Sequence, residues 1–343
     1  MTRIHLACVA AALVLAGLSG CSSEAGNSNS PAIELLNVSY DPTRELWKAI
    51  NYAFTAKHEK EAGQALNIRV THAGSSSQAR SVIEGLEADV VTLAMWTDTD
   101  AVARAGLIDA GWESELPNNA LPYSSTIVFV VRKGNPKQIQ DWPDLLKQGV
   151  EIITPNPKTS GNGKLSFLAA WGAALDRGGS EADALAYVTE LFKHVPVLDS
   201  GARAATVTFA QKKIGDVHLT WENEARLEVQ EAQGELEIVY PSASILAEPL
   251  VAVVDANVKR HGTADIAREY LEFLYTEEAQ EIIARNYYRP SKEAILAKHK
   301  EDFPEIRLFR ISAVAKDWAD AHARYFAEGA VFDKISEGSR GEQ

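Results

Sequence analysis

Cysteine is nearly absent from this chain. Its 343 residues include two, Cys8 and Cys21, and both lie within the first 21 positions. The rest of the chain therefore has no C-x-x-C metal or redox motif and cannot form a disulfide within itself. More than 300 residues remain, which is enough for hydrophobic cores to stabilise the fold alone and for the chain to form two lobes.

Positive charge is scarce as well. The chain has 34 lysine and arginine residues against 47 aspartate and glutamate residues, which gives a net charge of −13. Binding to nucleic acid needs clustered cations that neutralise phosphates, so this composition argues against it. An anion site in this protein must instead work through local geometry, against an unfavourable overall field.

Long apolar runs are limited to the N-terminus. Residues 6–18 form a run of mainly Ala, Val and Leu that follows Arg3. This run is too short to span a bilayer as a mature helix, and its position after a basic residue is typical of a secretory signal peptide. We therefore predict a signal peptide over 1–20 and a mature protein at the periplasmic or extracytoplasmic face of a membrane.

The end of this run carries a second signal. The sequence Leu18-Ser19-Gly20-Cys21 resembles the lipobox of bacterial lipoproteins, in which the cysteine is acylated and becomes the new N-terminus. The resemblance implies a lipid anchor on Cys21, followed by a flexible, polar tether over 21–31. An ordinary signal peptide with an incidental cysteine is the alternative.

Short motifs of common catalytic and metal sites are also missing. The chain contains no H-E-x-x-H and no G-x-S-x-G, and its eight histidines show no metal-ligand spacing. The segment before Lys164 differs from a phosphate-binding P-loop because Lys158 occupies the place of the first required glycine. We therefore expect no enzymatic activity, no cofactor and no metal site, with a hydrolase built from residues distant in sequence as an alternative.

What the sequence does contain is a regular alternation of strands and helices. Short apolar strands are predicted at 33–39, 67–72 and 89–95, and helical periodicity covers 44–61 and 78–87 between them. This alternation is typical of an α/β protein with a parallel sheet.

A second alternation follows farther along the chain, with strands predicted at 150–154 and 216–221. Two long apolar strands, at 125–132 and 246–255, are the natural connections between the two groups. We therefore predict two lobes with a hinged cleft between them. The predicted first lobe comprises 32–128 and 250–343, and the second comprises 129–249.

Small polar residues precede three of the predicted helices. They are Ser75, the run Ser160-Gly161-Asn162, and Gly201 with Ala202. The first amides of a helix have no intrahelical partner and lie at the positive end of its dipole, so they form an anion site without a basic side chain. Ligand sites in open α/β sheets lie at the carboxyl ends of strands, so we expect these helix starts to converge in the cleft.

Two further residues are candidates for this site. Trp221 ends a predicted strand, and its indole N–H is a donor without acceptor capacity, which suits an anion pocket. A core tryptophan is the alternative interpretation. Asp41 has the wrong charge for direct contact with an anion, so we expect it to accept N–H bonds from the loops and to support the pocket.

Several motifs closely resemble those of the periplasmic sulfate-binding proteins, over about residues 33–338. They lie at 35–46, 85–94, 156–161, 198–203, 221–225, 245–249 and 287–290. The resemblance implies a type II solute-binding fold that closes on sulfate and delivers it to the membrane permease of an ABC importer. We expect such a protein to be a monomer.

The resemblance also implies roles for single residues. It implies backbone donors at Ser75, Gly161, Asn162 and Ala202, a hydroxyl donor at Ser160, an indole donor at Trp221, and a supporting role for Asp41. Asn162 stands where sulfate binders often have a glycine, and 159–162 looks more like the thiosulfate-binding branch. Residues 221–224 and 200–202 look like the sulfate branch, so the sequence favours sulfate, with thiosulfate as the alternative.

Overall fold

The computed structural model of the protein describes residues 31–341. The predicted signal peptide, Cys21 and the predicted tether up to residue 30 lie outside the described residues. Within 31–341, no helix combines the length and the apolar character that crossing a bilayer requires.

The strands of this part of the chain are mostly short and buried. They are β1 (Ile33–Tyr40), β2 (Leu66–Ala73), β3 (Val90–Leu93), β4 (Tyr123–Ser124), β5 (Ile127–Arg132), β6 (Ile152–Pro155), β7 (Leu198–Asp199), β8 (Val217–Trp221), β9 (Leu236–Val239), β10 (Ala243–Ile245), β11 (Leu250–Val253), β12 (Arg289–Pro290) and β13 (Arg307–Phe309).

The helices lie mainly between these strands and after them. They are α1 (Arg44–Ala62), α2 (Ser75–Ile83), α3 (Trp96–Arg104), α4 (Pro117–Ala120), α5 (Gly161–Asp176), α6 (Glu181–Lys193), α7 (Ala202–Thr206), α8 (Glu222–Glu231), α9 (Asp255–His261), α10 (Ala264–Phe273), α11 (Glu277–Arg285), α12 (Glu293–Lys298), α13 (Trp318–Ala321) and α14 (Val331–Gly341). A 3₁₀ turn, Asp41–Thr43, precedes α1, and a π-helical turn, Val207–Gln211, extends α7.

Two separate sheets form the centres of the two lobes. The first has the order β11-β3-β1-β2, and the second has the order β7-β6-β8-β5-β9. In the first sheet β1 runs parallel to β2 and β3, whereas β11 is antiparallel. In the second sheet β6 is parallel to β7 and β8, whereas β5 is antiparallel to its neighbours. The predicted α/β class is confirmed. Each sheet is mixed because it contains an antiparallel strand from a segment that crosses between the lobes: β11 at the edge of the first sheet and β5 inside the second.

The chain passes between the two sheets three times. The first two crossings lie at the two long apolar runs that we predicted as connections between the lobes. A bridge between Ser125 and Ala247 joins these two crossings. The third is β13, which pairs in parallel with β10 and which the sequence did not reveal. Gly172 of α5 accommodates this crossing, because a Cβ atom there would lie 2.2 Å from the Phe309 ring.

The third crossing carries the C-terminal segment onto the second lobe. Its buried residues Tyr325, Phe326 and Phe332 pack in one cluster with Phe167 of α5 and Phe192 of α6. The division into 32–128 with 250–343, and 129–249, stays a prediction. We propose one change to it, which assigns the chain from β13 onward to the second lobe.

Three helices begin earlier than the periodicity predicted. The structure starts α2 at Ser75, α5 at Gly161 and α7 at Ala202, whereas the periodicity predicts starts at residues 78, 165 and 204. Serine and glycine have low helix propensity, but residues of the first turn donate no intrahelical bond, so the cost is small there. The small residues therefore lie inside the first turns, and their amides are the unpaired ones.

Candidate anion-binding site

A small cavity lies where the two lobes meet. It encloses at most about 160 Å³, and ten residues line it: Tyr40, Asp41, Pro42, Ala73, Gly74, Ser75, Ser160, Gly161, Asn162 and Ala202. Its size corresponds to only a few water-sized volumes of about 30 Å³ and is below the roughly 300 Å³ typical of pockets for larger organic ligands. No lysine or arginine is among the lining residues.

Three helix N-termini converge on this cavity, as predicted. The first residues of α2, α5 and α7 are Ser75, Gly161 and Ala202, and all three line the cavity. None of the three helices has a side-chain cap. Because each N-terminus carries about half a unit of positive charge, the three together provide more than one positive unit without a cationic side chain.

Ser160 lies at the cavity, directly before the first residue of α5. It is 2% exposed, and its hydroxyl does not cap this helix. The neighbouring Asn162 uses its side-chain amide to donate to the Leu219 carbonyl of β8, at 3.0 Å. Its side chain is therefore fixed to the second sheet, which leaves the backbone amide at the cavity.

Trp221 is buried but does not line the cavity directly. Its ring lies against that of Tyr40, a lining residue, with ring centroids 5.3 Å apart. The indole is fully buried, and its Nε1 has no acceptor among the described residues. A buried donor without a partner costs roughly 1–3 kcal/mol, so this N–H indicates an acceptor that the protein itself does not supply.

Asp41 lines the cavity, and its role in supporting the pocket stays a prediction. Its carboxylate accepts from the Arg44 guanidinium at 2.8 Å, and no loop amide in the described chain donates to it. The Arg44 guanidinium therefore compensates the charge that Asp41 brings to the cavity.

The loops of the second lobe are held side by side by hydrogen bonds. Asn156 shapes the first loop: its side-chain oxygen accepts from the Lys158 amide at 2.9 Å, and its carbonyl accepts from the Ser160 amide at 3.0 Å. Thr159 donates through its hydroxyl to the Ser200 carbonyl at 2.8 Å, which ties this loop to the one before α7. These bonds hold the starts of α5 and α7 next to each other at the cavity.

Close contacts of glycines show that the lobes are closed. A Cβ atom at Gly74 would lie 2.3 Å from the Thr159 carbonyl oxygen, and one at Gly161 would lie 2.6 Å from the Ala94 Cβ. A Cβ atom at Gly201 would lie 2.5 Å from a carboxylate oxygen of Asp41. Each contact joins the two lobes, so only glycine permits the approach that forms the cavity.

The acidic residues after Trp221 pair with groups around the cleft. Glu222 forms two bonds with Arg289, at 2.7 and 2.9 Å, and Asn223 donates to the Pro42 carbonyl at 3.0 Å. Glu224 is 2% exposed and pairs with Arg203 at 3.2 Å. Burial raises the pKa of Glu224 to about 7, although the Arg203 guanidinium acts in the opposite direction.

Sequence reasoning located the cavity but missed part of its frame. Six of the seven predicted residues line the cavity: Asp41, Ser75, Ser160, Gly161, Asn162 and Ala202. The seventh, Trp221, packs against Tyr40 beside it. Sequence reasoning did not identify Arg203, Arg289 or the buried Lys164. Their acidic partners are 21 to 158 residues away along the chain, so no local pattern indicates them.

Comparison with known proteins agrees with this geometry. Residues 35–289 match the family described as bacterial extracellular solute-binding protein. The sulfate-binding protein of Salmonella typhimurium is 53% identical over 306 residues, which are 89% of this chain and 93% of that protein. The thiosulfate-binding protein of Pseudomonas aeruginosa is 49% identical over 327 residues, which are 95% of this chain and 97% of that protein.

A solved structure extends the similarity to the fold. The sulfate-binding protein SubI of Mycobacterium tuberculosis superposes with a TM-score of 0.79 at 31% identity, over 86% of this chain and 99% of that protein. The resemblance and the two-lobed α/β fold expected from the sequence are confirmed. The chain therefore belongs to the bacterial extracellular solute-binding proteins, in the family of the sulfate- and thiosulfate-binding proteins.

Proposed function

We propose that this protein captures sulfate in the cavity between its lobes and delivers it to an ABC importer. The observation that carries the proposal is the donor set: three uncapped helix N-termini meet at a small cavity that Ser160 lines, beside a buried indole N–H without a partner in the described chain. The names of the relatives at 53% and 49% identity support an oxyanion of sulfur.

The proposed donors are the backbone amides of Ser75, Gly161, Asn162 and Ala202, the Ser160 hydroxyl and the Trp221 indole. Hydrogen bonds to a charged group contribute about 1.5–3 kcal/mol each, so six contribute roughly 9–18 kcal/mol before the costs of desolvation and ordering. Micromolar affinity requires about 8 kcal/mol, which this donor set can supply.

The same donor set favours sulfate over phosphate. Sulfate carries no proton at neutral pH and accepts at every oxygen, whereas phosphate keeps at least one proton. That proton would face a donor in this cavity, and a wrongly paired buried group costs about 1–3 kcal/mol or more. We therefore expect phosphate to bind far more weakly than sulfate.

Calorimetric titration of the anion-free protein with sulfate, thiosulfate, phosphate and molybdate tests this function. We expect the tightest binding for sulfate. Equal or tighter binding of thiosulfate would favour the second candidate, which the 49% identical thiosulfate-binding relative and Asn162 support. Binding of neither sulfur oxyanion would overturn the proposal.

We also propose that the mature protein is a monomer that a lipid on Cys21 anchors at the extracytoplasmic face of a membrane. The sequence before Cys21 supports this. Cells that express the protein would be labelled with an alkyne-bearing fatty acid. Label should enter the wild type and be absent from Cys21→Ala. Label-free wild-type protein that is secreted and cleaved would favour the ordinary signal peptide.

A further inference from the structure

A buried ion pair joins the two lobes beside the cavity. Lys164, the fourth residue of α5, lies 3.0 Å from Asp98, the third residue of α3. The two side chains are only 4% and 5% exposed. Helix α5 packs with the second sheet, whereas α3 follows β3 of the first, so the pair spans the cleft.

Asp98 also holds the start of helix α2. Its two carboxylate oxygens accept from the hydroxyls of Ser75, at 2.6 Å, and Ser76, at 2.9 Å. The Ser75 hydroxyl in turn accepts from the Ala94 amide at 3.1 Å, and the Lys164 ammonium donates to the Ser76 hydroxyl at 2.8 Å. Both hydroxyls are thus engaged, and Ser75 has only its backbone amide left for the cavity.

Closure of the lobes changes the surroundings of both charges. In the closed arrangement each charge is removed from water, and each compensates the other; removal of one partner from a buried pair typically costs 3–5 kcal/mol. Once the lobes separate, the two charges part and each regains water. The energetic cost of losing one partner therefore applies to the closed state and is small in the open state.

We propose that Lys164 and Asp98 are positioning residues of the anion site, which lock the start of α2 to the start of α5 when the lobes close. Neither side chain lines the cavity. They act through closure: Asp98 orients the Ser75 amide, and Lys164 makes this orientation dependent on the second lobe. This inference rests on the proposed binding of sulfate between the lobes.

The test compares three variants with the wild type. Lys164→Met leaves Asp98 unpaired in the closed state, and Lys164→Met/Asp98→Asn removes both charges. Lys57→Met, which breaks an exposed pair with Glu61 within α1, is the control. For each protein we would measure the dissociation constant for sulfate, its dissociation rate by stopped-flow tryptophan fluorescence, and the melting temperature without anion.

We expect Lys164→Met to weaken sulfate binding on the order of 100-fold, mainly through faster dissociation. The double variant should recover most of this loss, and the control should bind like the wild type. All four proteins should melt within a few degrees of one another without anion, because the open state does not need the pair.

Three results would overturn the inference: unchanged sulfate affinity in Lys164→Met, a double variant no tighter than the single one, or unfolding of Lys164→Met without anion. The last would show that the pair stabilises the fold rather than the closed state. Failure of the wild type to bind sulfate or thiosulfate would instead refute the proposed function, and this inference with it.

Discussion

The two sides of the cavity contribute donors of different kinds. The first lobe presents the start of α2, whose Ser75 hydroxyl is bound to Asp98, so the backbone supplies its donors. The second lobe presents two helix starts, the proposed hydroxyl donor Ser160 and the unpartnered indole of Trp221. We therefore expect the proposed anion to dock first on the second lobe, and the first lobe to close over it and add the Ser75 amide.

The largest loss of sulfate affinity is expected from a methyl group at Gly161. Its Cβ would lie 2.6 Å from the Ala94 Cβ of the first lobe, so Gly161→Ala prevents closure and removes the proposed Ser75 donor of that lobe. Loss of this bond, about 1.5–3 kcal/mol, and the entry of water into the open cavity together predict a loss of affinity of at least about 100-fold in calorimetry.

A second-site change provides the matched control for this variant. In Gly161→Ala/Ala94→Gly the new methyl group meets no atom closer than 3.4 Å among its three nearest contacts. Affinity should therefore recover substantially. Loss of affinity that persists in the double variant would assign the effect to the helix start itself rather than to closure.

The buried acid of the second lobe should make stability depend on pH. The pKa of Glu224 is raised to about 7, so the folded state binds its proton more tightly than the unfolded state does. Stability from this group is present at low pH and is lost as pH rises through about 4.5 to 7. The loss is on the order of 3 kcal/mol.

Chemical denaturation of the anion-free protein between pH 4.5 and 8 measures this slope. Glu224→Gln should flatten it. Glu61→Gln is the control, because this carboxylate is exposed on α1 and pairs with Lys57. A slope that is the same in Glu224→Gln and the wild type would remove Glu224 as its source.

Removal of the Trp221 indole donor should have the next largest effect on the affinity for sulfate. Trp221→Phe keeps the ring against Tyr40 and removes one hydrogen bond to the anion, so we expect a 10- to 100-fold weaker affinity for sulfate, since one such bond contributes roughly 1.5–3 kcal/mol. Trp142→Phe is the matched control: it loses a bond to the Ala243 carbonyl and should lower the melting temperature without changing affinity. Unchanged affinity in Trp221→Phe would place Trp221 in the core alone.

The smallest losses of affinity are expected from two serine variants, which compare the two lobes most directly. Ser160→Ala removes a hydroxyl that we propose donates to the anion, and affinity should fall about tenfold. Ser75→Ala removes a hydroxyl that donates to Asp98, and the Ser75 amide stays, so the loss should be smaller. A greater loss in Ser75→Ala than in Ser160→Ala would reverse the roles of the two lobes.

Much of this architecture was predictable because its signals are local. Alternating apolar runs predicted β1, β2, β5 and β8, and the small residues before helices predicted all three N-termini at the cavity. The first residues of the helices were placed two to four positions too late, since Ser, Gly and Asn are typical turn residues and have low helix propensity. Seven motifs, among them the one around Trp221, identified the family, which comparison confirms.

The sequence by itself predicted an anion site without a cationic side chain, because unpaired amides at the start of a helix follow from local chemistry. Only the tertiary structure decided which side chains that are distant in sequence contact each other. Lys164 and Asp98 lie 66 positions apart, and Arg289 meets Glu222 across 67. Such pairs depend on how two separately formed sheets are set against each other. The same reason explains why the directions of the Ser75 and Ser160 hydroxyls, and the third crossing at β13, emerged only from the fold.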